Sequence, residues 1–280
     1  MFLAIETATQ QLGVAALDGE RVLASYEVLA DQPPHAVELP GAVQRVLQEA
    51  GGRLDQVEAL ILDIGPGSFT GLRIGVAFAK ALAFPRNLPS FDSRSGRHPE
   101  RSRGIPMVAV PSLDVLAAQL PMAPYLVCPI LDAKRKNVYA ALYRQERQGQ
   151  PARDGDCFLG PVEDVLARIQ GPAVFLGDGC ALYETMIRER LGANAQFATP
   201  DFWLPRVATL GRLGARRYAQ GQRDDPATLT PLYLYPKDCS VRLPASPAGG
   251  PAGPGSSRAP ETGLPAGPVC RTGRRASENR

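Results

Sequence analysis

Ala59-Leu60-Ile61-Leu62-Asp63-Ile64-Gly65-Pro66-Gly67-Ser68-Phe69-Thr70-Gly71-Leu72-Arg73-Ile74-Gly75 is the stretch on which the fold turns. Leu60 to Ile64 is a short apolar run with β-branched members, the composition of a strand buried on both faces. Gly65, Gly67 and Gly71 give the loop after it backbone freedom, Pro66 fixes one turn, and Ser68 or Thr70 stands where it can cap a following helix. From Leu72 to Phe84 only Arg73 and Lys80 interrupt apolar or small residues, so this helix is expected to be buried all round. The loop has two readings. Its amides and the helix N-terminus receive an anion, or its glycines serve only a tight turn and close helix-on-sheet packing, which the chemistry alone favours. It is not a Walker A element, because no Gly-Lys-Ser/Thr follows.

Upstream, Phe2 to Ile5, Gly13 to Leu17 and Val22 to Leu29 read as three strands. Thr7 to Gln11 is a polar turn after the first, and Asp18-Gly19 a hairpin turn after the second. His35 to Ala50 reads as a helix, with Leu39, Val43, Val46, Leu47 and Ala50 on one stripe, Pro40 in its first turn and Gly51-Gly52 at its end. The position four after His35 is Leu39 and the other histidine, His98, lies elsewhere, so no His-x-x-x-His pair exists to hold a metal. A lone His35 at a helix start reads as a cap or an interface residue, and no metal site is expected.

Downstream, Pro106 to Val110 reads as a strand and Ser112 to Leu120 as a helix capped by Ser112. Tyr125 to Leu131 and Val138 to Tyr143 form a hairpin around the turn Asp132 to Asn137. Asp132 is the carboxylate to watch, although Asp at a turn is ordinary. Lys134-Arg135-Lys136 reads as a solvated tip, with contact to a phosphate backbone as the less favoured reading. Pro161 to Gln170 is a helix, and Ala173 to Leu176 is a strand ending in Gly177-Asp178-Gly179. Helices follow through Arg190 and from Val207 to Gln220, and Leu229 to Tyr235 reads as a closing strand.

Gly65 to Gly75 resembles the signature of the TsaB (YeaZ) family, partner subunits of the tRNA threonylcarbamoyladenosine synthase within the actin-like ATPase superfamily. The resemblance also takes in Leu3-Ala-Ile-Glu-Thr-Ala-Thr9, Val108-Ala-Val-Pro-Ser-Leu113, Asp132-Ala133 with Val138-Tyr139, and Gly177-Asp-Gly179, in that order. It implies an α/β, ribonuclease H-like fold with two lobes, each a mixed sheet flanked by helices. The lobes would span 1–110 and 111–240, with 85–104 an inserted disordered loop and 241–280 a disordered tail. It implies a non-catalytic role: binding and activating the catalytic TsaD subunit as a heterodimer, with the TsaE ATPase as a further partner, tRNA reached through the complex, and a homodimer when alone. Interface residues would be Leu39, Val43, Leu47, Leu72, Arg73 and Val76, with Arg73 the one expected at the surface. The resemblance also points to ATP or ADP with magnesium at the subunit interface, and the residues here that would bind nucleotide are Glu6, Thr7, Gly67, Ser68, Asp132, Gly177, Asp178 and Gly179. A phosphotransferase or ATPase on the same fold would use that set. A glycoprotease-like peptidase is disfavoured by the missing histidine pair and by the lack of a visible Ser/His/Asp grouping.

Charge and composition bound these readings. Residues 241–280 carry six Arg against two Glu, so the overall +3 leaves the first 240 residues at −1. The body is therefore no electrostatic footprint for RNA, and a partner should carry most RNA contact. Five scattered cysteines without a Cys-x-x-Cys argue for reduced thiols in the cytoplasm. No basic region precedes an apolar one at the N-terminus, and no apolar run is long enough to span a bilayer. The segment 85–104 carries five Arg against Asp92 and Glu100 and shows no periodicity. The segment 241–280 is too rich in Pro and Gly to bury a core.

Overall fold

The computed structural model describes residues 1–30, 35–84, 104–145 and 151–234. All but Gly104 of the expected loop at 85–104 and the whole of the tail at 241–280, with His98, Tyr235, Cys239 and Cys270, lie outside the described residues.

Two five-stranded sheets repeat one plan. In the first, β1 (Phe2–Glu6), β2 (Gln11–Asp18) and β3 (Arg21–Leu29) form an antiparallel meander, and β4 (Ala59–Asp63) and β5 (Met107–Val110) add parallel to β1, giving the order β3-β2-β1-β4-β5. In the second, β6 (Leu126–Asp132), β7 (Val138–Gln145) and β8 (Pro151–Gly160) form the meander, while β9 (Ala173–Leu176) and β10 (Ala195–Phe197) add parallel to β6. The sheet order 3-2-1-4-5 thus occurs twice, as an actin-like, ribonuclease H-like fold requires. β4 is buried at all five residues, as its unbroken apolar run demands.

Helices cover both faces of the first sheet. On one face lie α1 (His35–Glu49) and α2 (Phe69–Ala83), with Leu39, Val43, Val46, Leu47, Ala79 and Leu82 in the same core as Leu3, Ile5, Leu60 and Leu62. On the other lie α3 (Ser112–Ala118) and α6 (Val207–Ala219), through Val115, Val207, Leu210 and Leu213. α6 is late in the chain yet returns to this first sheet. Gly211 and Gly214 allow it, since a Cβ there would strike the side chains of Leu17 and Ile61. α3 serves both sheets, because Leu113, Leu116 and Ala117 enter a second core with Leu131, Tyr143 and Leu176. The far face of the second sheet is covered by α4 (Val162–Leu166) and α5 (Cys180–Leu191), through Val162, Val165 and Ile187.

Four sequence expectations change. α2 is not buried all round: Arg73, Ala77 and Ala81 are exposed, and Phe69 and Phe84 at its ends are 53% and 55% exposed, because no layer of the described chain covers that face. Ser112 does not cap α3; Pro111 holds the N-cap position, and the Ser112 hydroxyl turns to Asp63. Residues 229–234 form no strand; instead Leu232 N donates to Ile64 O at 2.7 Å, and Leu229 packs on the first core. β8 and β10 are additional edge strands, one containing Pro, Gly and three charged residues and the other only three residues long.

Candidate functional site

The glycine loop follows β4 at the C-terminal end of the parallel strands. Gly65 lies at φ +98, the Gly65–Pro66 peptide is cis, and Ser68 caps α2 by accepting from Gly71 N at 3.2 Å. The loop is pressed against the turn after β1. Ser68 N donates to Ala8 O at 2.6 Å, and a Cβ on Gly67 or Gly71 would drive into the carbonyl of Ala8 or Thr7. These glycines are therefore needed for close approach of two backbones, whatever else the loop does.

Between this loop and the β6–β7 hairpin lies a cleft of about 520 Å³. Thr9, Gln10, His35, Ser68, Phe69 and Thr70 line one side; Asp132, Lys134, Tyr139 and Asp178 line the other. On the far wall Asp178 Oδ1 accepts from Asp132 N at 2.9 Å, while Asp132 takes Lys134 N at 2.8 Å and the Lys134 ammonium at 2.6 Å. Burial raises the Asp178 carboxyl, and the hydrogen bond to Asp132 raises the Lys134 ammonium. On the near wall the first turn of α2 brings a helix N-terminus to the cleft, a favourable place for negative charge.

The residues expected to hold nucleotide divide between cleft and packing. Gly67, Ser68, Asp132 and Asp178 line the cleft. Glu6 and Thr7 are buried beneath it, 0% and 1% exposed. Gly177, at φ +106, lies under the carbonyl of Ile130, and Gly179 N donates to that same oxygen at 3.1 Å. One wall thus suits an anion and the other carries two carboxylates and one ammonium. Among the described residues no group of three or more His, Cys, Asp or Glu is arranged to hold a metal ion.

Two polar residues take parts that the sequence reading did not assign. Asp63, at the end of β4, is 3% exposed; its Oδ1 accepts from Gly65 N at 2.8 Å and Ser112 Oγ at 2.6 Å, and its Oδ2 has no partner. Glu6, at the end of adjacent β1, accepts from Ala8 N at 2.8 Å and likewise leaves Oε2 unpaired. Burial pushes Asp63 up to about 7 and raises Glu6 well above the carboxylate range, with Asp63 adding to the rise in Glu6. A carboxylate closing an otherwise apolar parallel strand was the available signal. His35 neither caps a helix at the surface nor sits in solvent. It is 4% exposed, packs on Gly71, lines the cleft and is held below its usual value by burial.

Of the six residues expected at an interface, Leu39, Val43, Leu47, Leu72 and Val76 are buried within the chain and Arg73 is exposed. Arg73 stacks on Phe69 at 3.8 Å and its Nε donates to Tyr233 OH at 3.2 Å, while the Phe69 and Tyr233 rings lie 5.3 Å apart.

A family model described as TsaD, tRNA N6-adenosine threonylcarbamoyltransferase, matches residues 30–92, the segment holding α1, β4, the glycine loop and α2. The tRNA threonylcarbamoyladenosine biosynthesis protein TsaB of Bacillus subtilis is 33% identical over 83% of this chain and 93% of its own length. The protein of the same description from Escherichia coli is 26% identical over 86% of this chain and 97% of its own. Among solved structures, YeaZ from Pseudomonas aeruginosa superposes with a TM-score of 0.65 at 28% identity, covering 83% of this chain and 99% of that one.

Proposed function

The chain belongs to the TsaB family, and from that membership we propose that it is the non-catalytic subunit of a tRNA threonylcarbamoyladenosine synthase, binding and activating a TsaD-type transferase. The observation that carries this reading is the match to a TsaB relative over 93% of that relative's length, beside the family-model match at residues 30–92, which holds α1, the glycine loop and α2.

The open face of α2 supports a pairing role. Phe69, Arg73, Ala77 and Ala81 succeed one another at four-residue intervals on the exposed side, and Val37 on neighbouring α1 is 79% exposed. The small side chains of Ala77 and Ala81 let another helix approach, and Phe69 and Phe84 offer apolar area at either end. The same face serves a second copy when the chain is alone, and the TsaE ATPase joins the assembled pair. Residues 1–110 and 111–240 are read as the two lobes, with α6 as the element that the second gives back to the first.

Co-expression with the cognate TsaD, followed by size-exclusion chromatography with light scattering, is expected to give a one-to-one complex. A well-folded chain that never co-elutes with TsaD would overturn the proposal.

A further inference from the structure

We infer that the tip of the β6–β7 hairpin, Lys134-Arg135-Lys136, is a phosphodiester-binding element that touches the tRNA backbone directly; this rests on the subunit reading above. Three consecutive side-chain-bearing residues lie in the left-handed region, at φ +63, +52 and +63. L residues rarely adopt that conformation, and glycine or asparagine would fit it with less strain. The turn is nevertheless locked. Lys134 N and Nζ both reach the Asp132 carboxylate, Asn137 N donates to Lys134 O at 3.0 Å, and Ala133 N donates to Asn137 O at 3.0 Å. A strained turn held this firmly fixes the backbone of the tip, and with it the directions in which its side chains leave it.

Those side chains are cations, and two of them are uncommitted. Lys134 is tied to Asp132, but Arg135 and Lys136 are exposed and have no acidic partner among the described residues. Their backbone N–H groups likewise find no backbone acceptor there. Position separates an extended polyanion from a small phosphate. A small phosphate entering the cleft encounters Asp132 and Asp178 at the hairpin base, whereas a nucleic-acid strand lying across the tip meets Arg135 and Lys136 first. The net charge of −1 on residues 1–240 is compatible with this, because a two-cation contact adds to an RNA surface supplied mainly by the partner.

The test is tRNA affinity of the purified complex with TsaD, measured by filter binding over a salt series. The Arg135→Gly/Lys136→Gly double variant removes both charges while favouring the left-handed turn, so the hairpin is retained. Affinity near 0.1 M salt is expected to fall about five- to tenfold, and the slope of log affinity against log salt to become shallower by about 1.4 to 1.8, the equivalent of two lost phosphate contacts. The control Arg21→Ala/Arg53→Ala, which removes two exposed cations on the first half of the chain, should leave both unchanged. An intact complex with unaltered affinity and slope overturns the inference, as does an equal loss in the control. Failure of the chain to form a complex is a separate result, which overturns the subunit reading and this inference with it.

Discussion

Ser112 Oγ donates a 2.6 Å hydrogen bond to Asp63 Oδ1, fastening the first turn of α3 to the end of β4 beside the glycine loop. The bond explains why the serine is not a cap. It also places Asp63 in a buried pair with Glu6, each with one carboxyl oxygen unpartnered.

That pair makes stability depend on pH in an unusual direction. Burial pushes Asp63 from an ordinary value of 3.8 to about 7, so between these values the folded chain keeps a proton that the unfolded chain has lost. Its contribution to stability is therefore present at low pH, declines as pH rises from about 4 to about 7, and levels off above; Glu6, raised as well, extends the decline. Asp63→Asn keeps an oxygen for Ser112 and Gly65 and removes this titration. Thermal unfolding by circular dichroism from pH 5 to 8.5 should show a flatter Tm profile for the variant; a profile as steep as the parent's would refute the account.

Tyr143 is fully buried, and its hydroxyl donates to Asp114 Oδ1 at 2.6 Å while Arg217 holds Asp114 Oδ2 at 2.5 Å. The contact joins β7, α3 and α6. Tyr143→Phe removes a hydrogen bond to a charged group and should destabilise by about 1.5–3 kcal/mol. Urea unfolding reads this as a lower midpoint at unchanged slope, and a shift below a few tenths of a kcal/mol would contradict it.

Gly171 and Gly177 both have positive φ, but a Cβ on Gly171 meets nothing whereas one on Gly177 drives into the Ile130 carbonyl. Alanine at either position carries the backbone strain. Only Gly177→Ala adds the clash, and it should be the more destabilising by about 1–3 kcal/mol. Equal midpoints for the two variants would show that the β6 backbone yields.

Val76 and Ala77 are neighbours on α2 about 100° apart around the helix, Val76 buried at 5% exposure and Ala77 exposed. Val76→Asp buries an unpaired charge and should leave little folded protein. Ala77→Asp should keep Tm within a few degrees of the parent, since exposed substitutions shift stability by about 0.5 kcal/mol or less, yet break the complex with TsaD in light scattering. Retention of a full-strength complex by Ala77→Asp would move the pairing surface off α2.

The sequence was legible where one physical demand acted alone. The apolar run that makes β4 a strand, the periodicity that makes α1 a helix and the helix stop at Gly51 each answer to one demand, and the elements stand where they were expected. It was less legible where a residue type answers to several demands. Leu72 and Val76 look alike as core or interface, and only the packing of α2 on the sheet separates them from Ala77. Gly177 and Gly179 resemble a ligand turn, while the backbone places them against Ile130. His35, Thr9 and Lys134 are remote in sequence and meet at the cleft through tertiary structure. β8 stayed hidden because an edge strand tolerates Pro151, Asp154 and Gly155, which contradict strand propensity.

The return of α6 to the first sheet carries a consequence for synthesis. All five strands of that sheet have been synthesised once Val110 is made, yet the face over Phe2, Ala4, Ala15 and Ile61 waits for Val207, Leu210 and Leu213 almost a hundred residues later. α3, at seven residues, is too short to hold that face by itself. A nascent chain therefore carries an open hydrophobic surface through about a third of its translation, and a chain cut short anywhere before α6 leaves that surface without its cover.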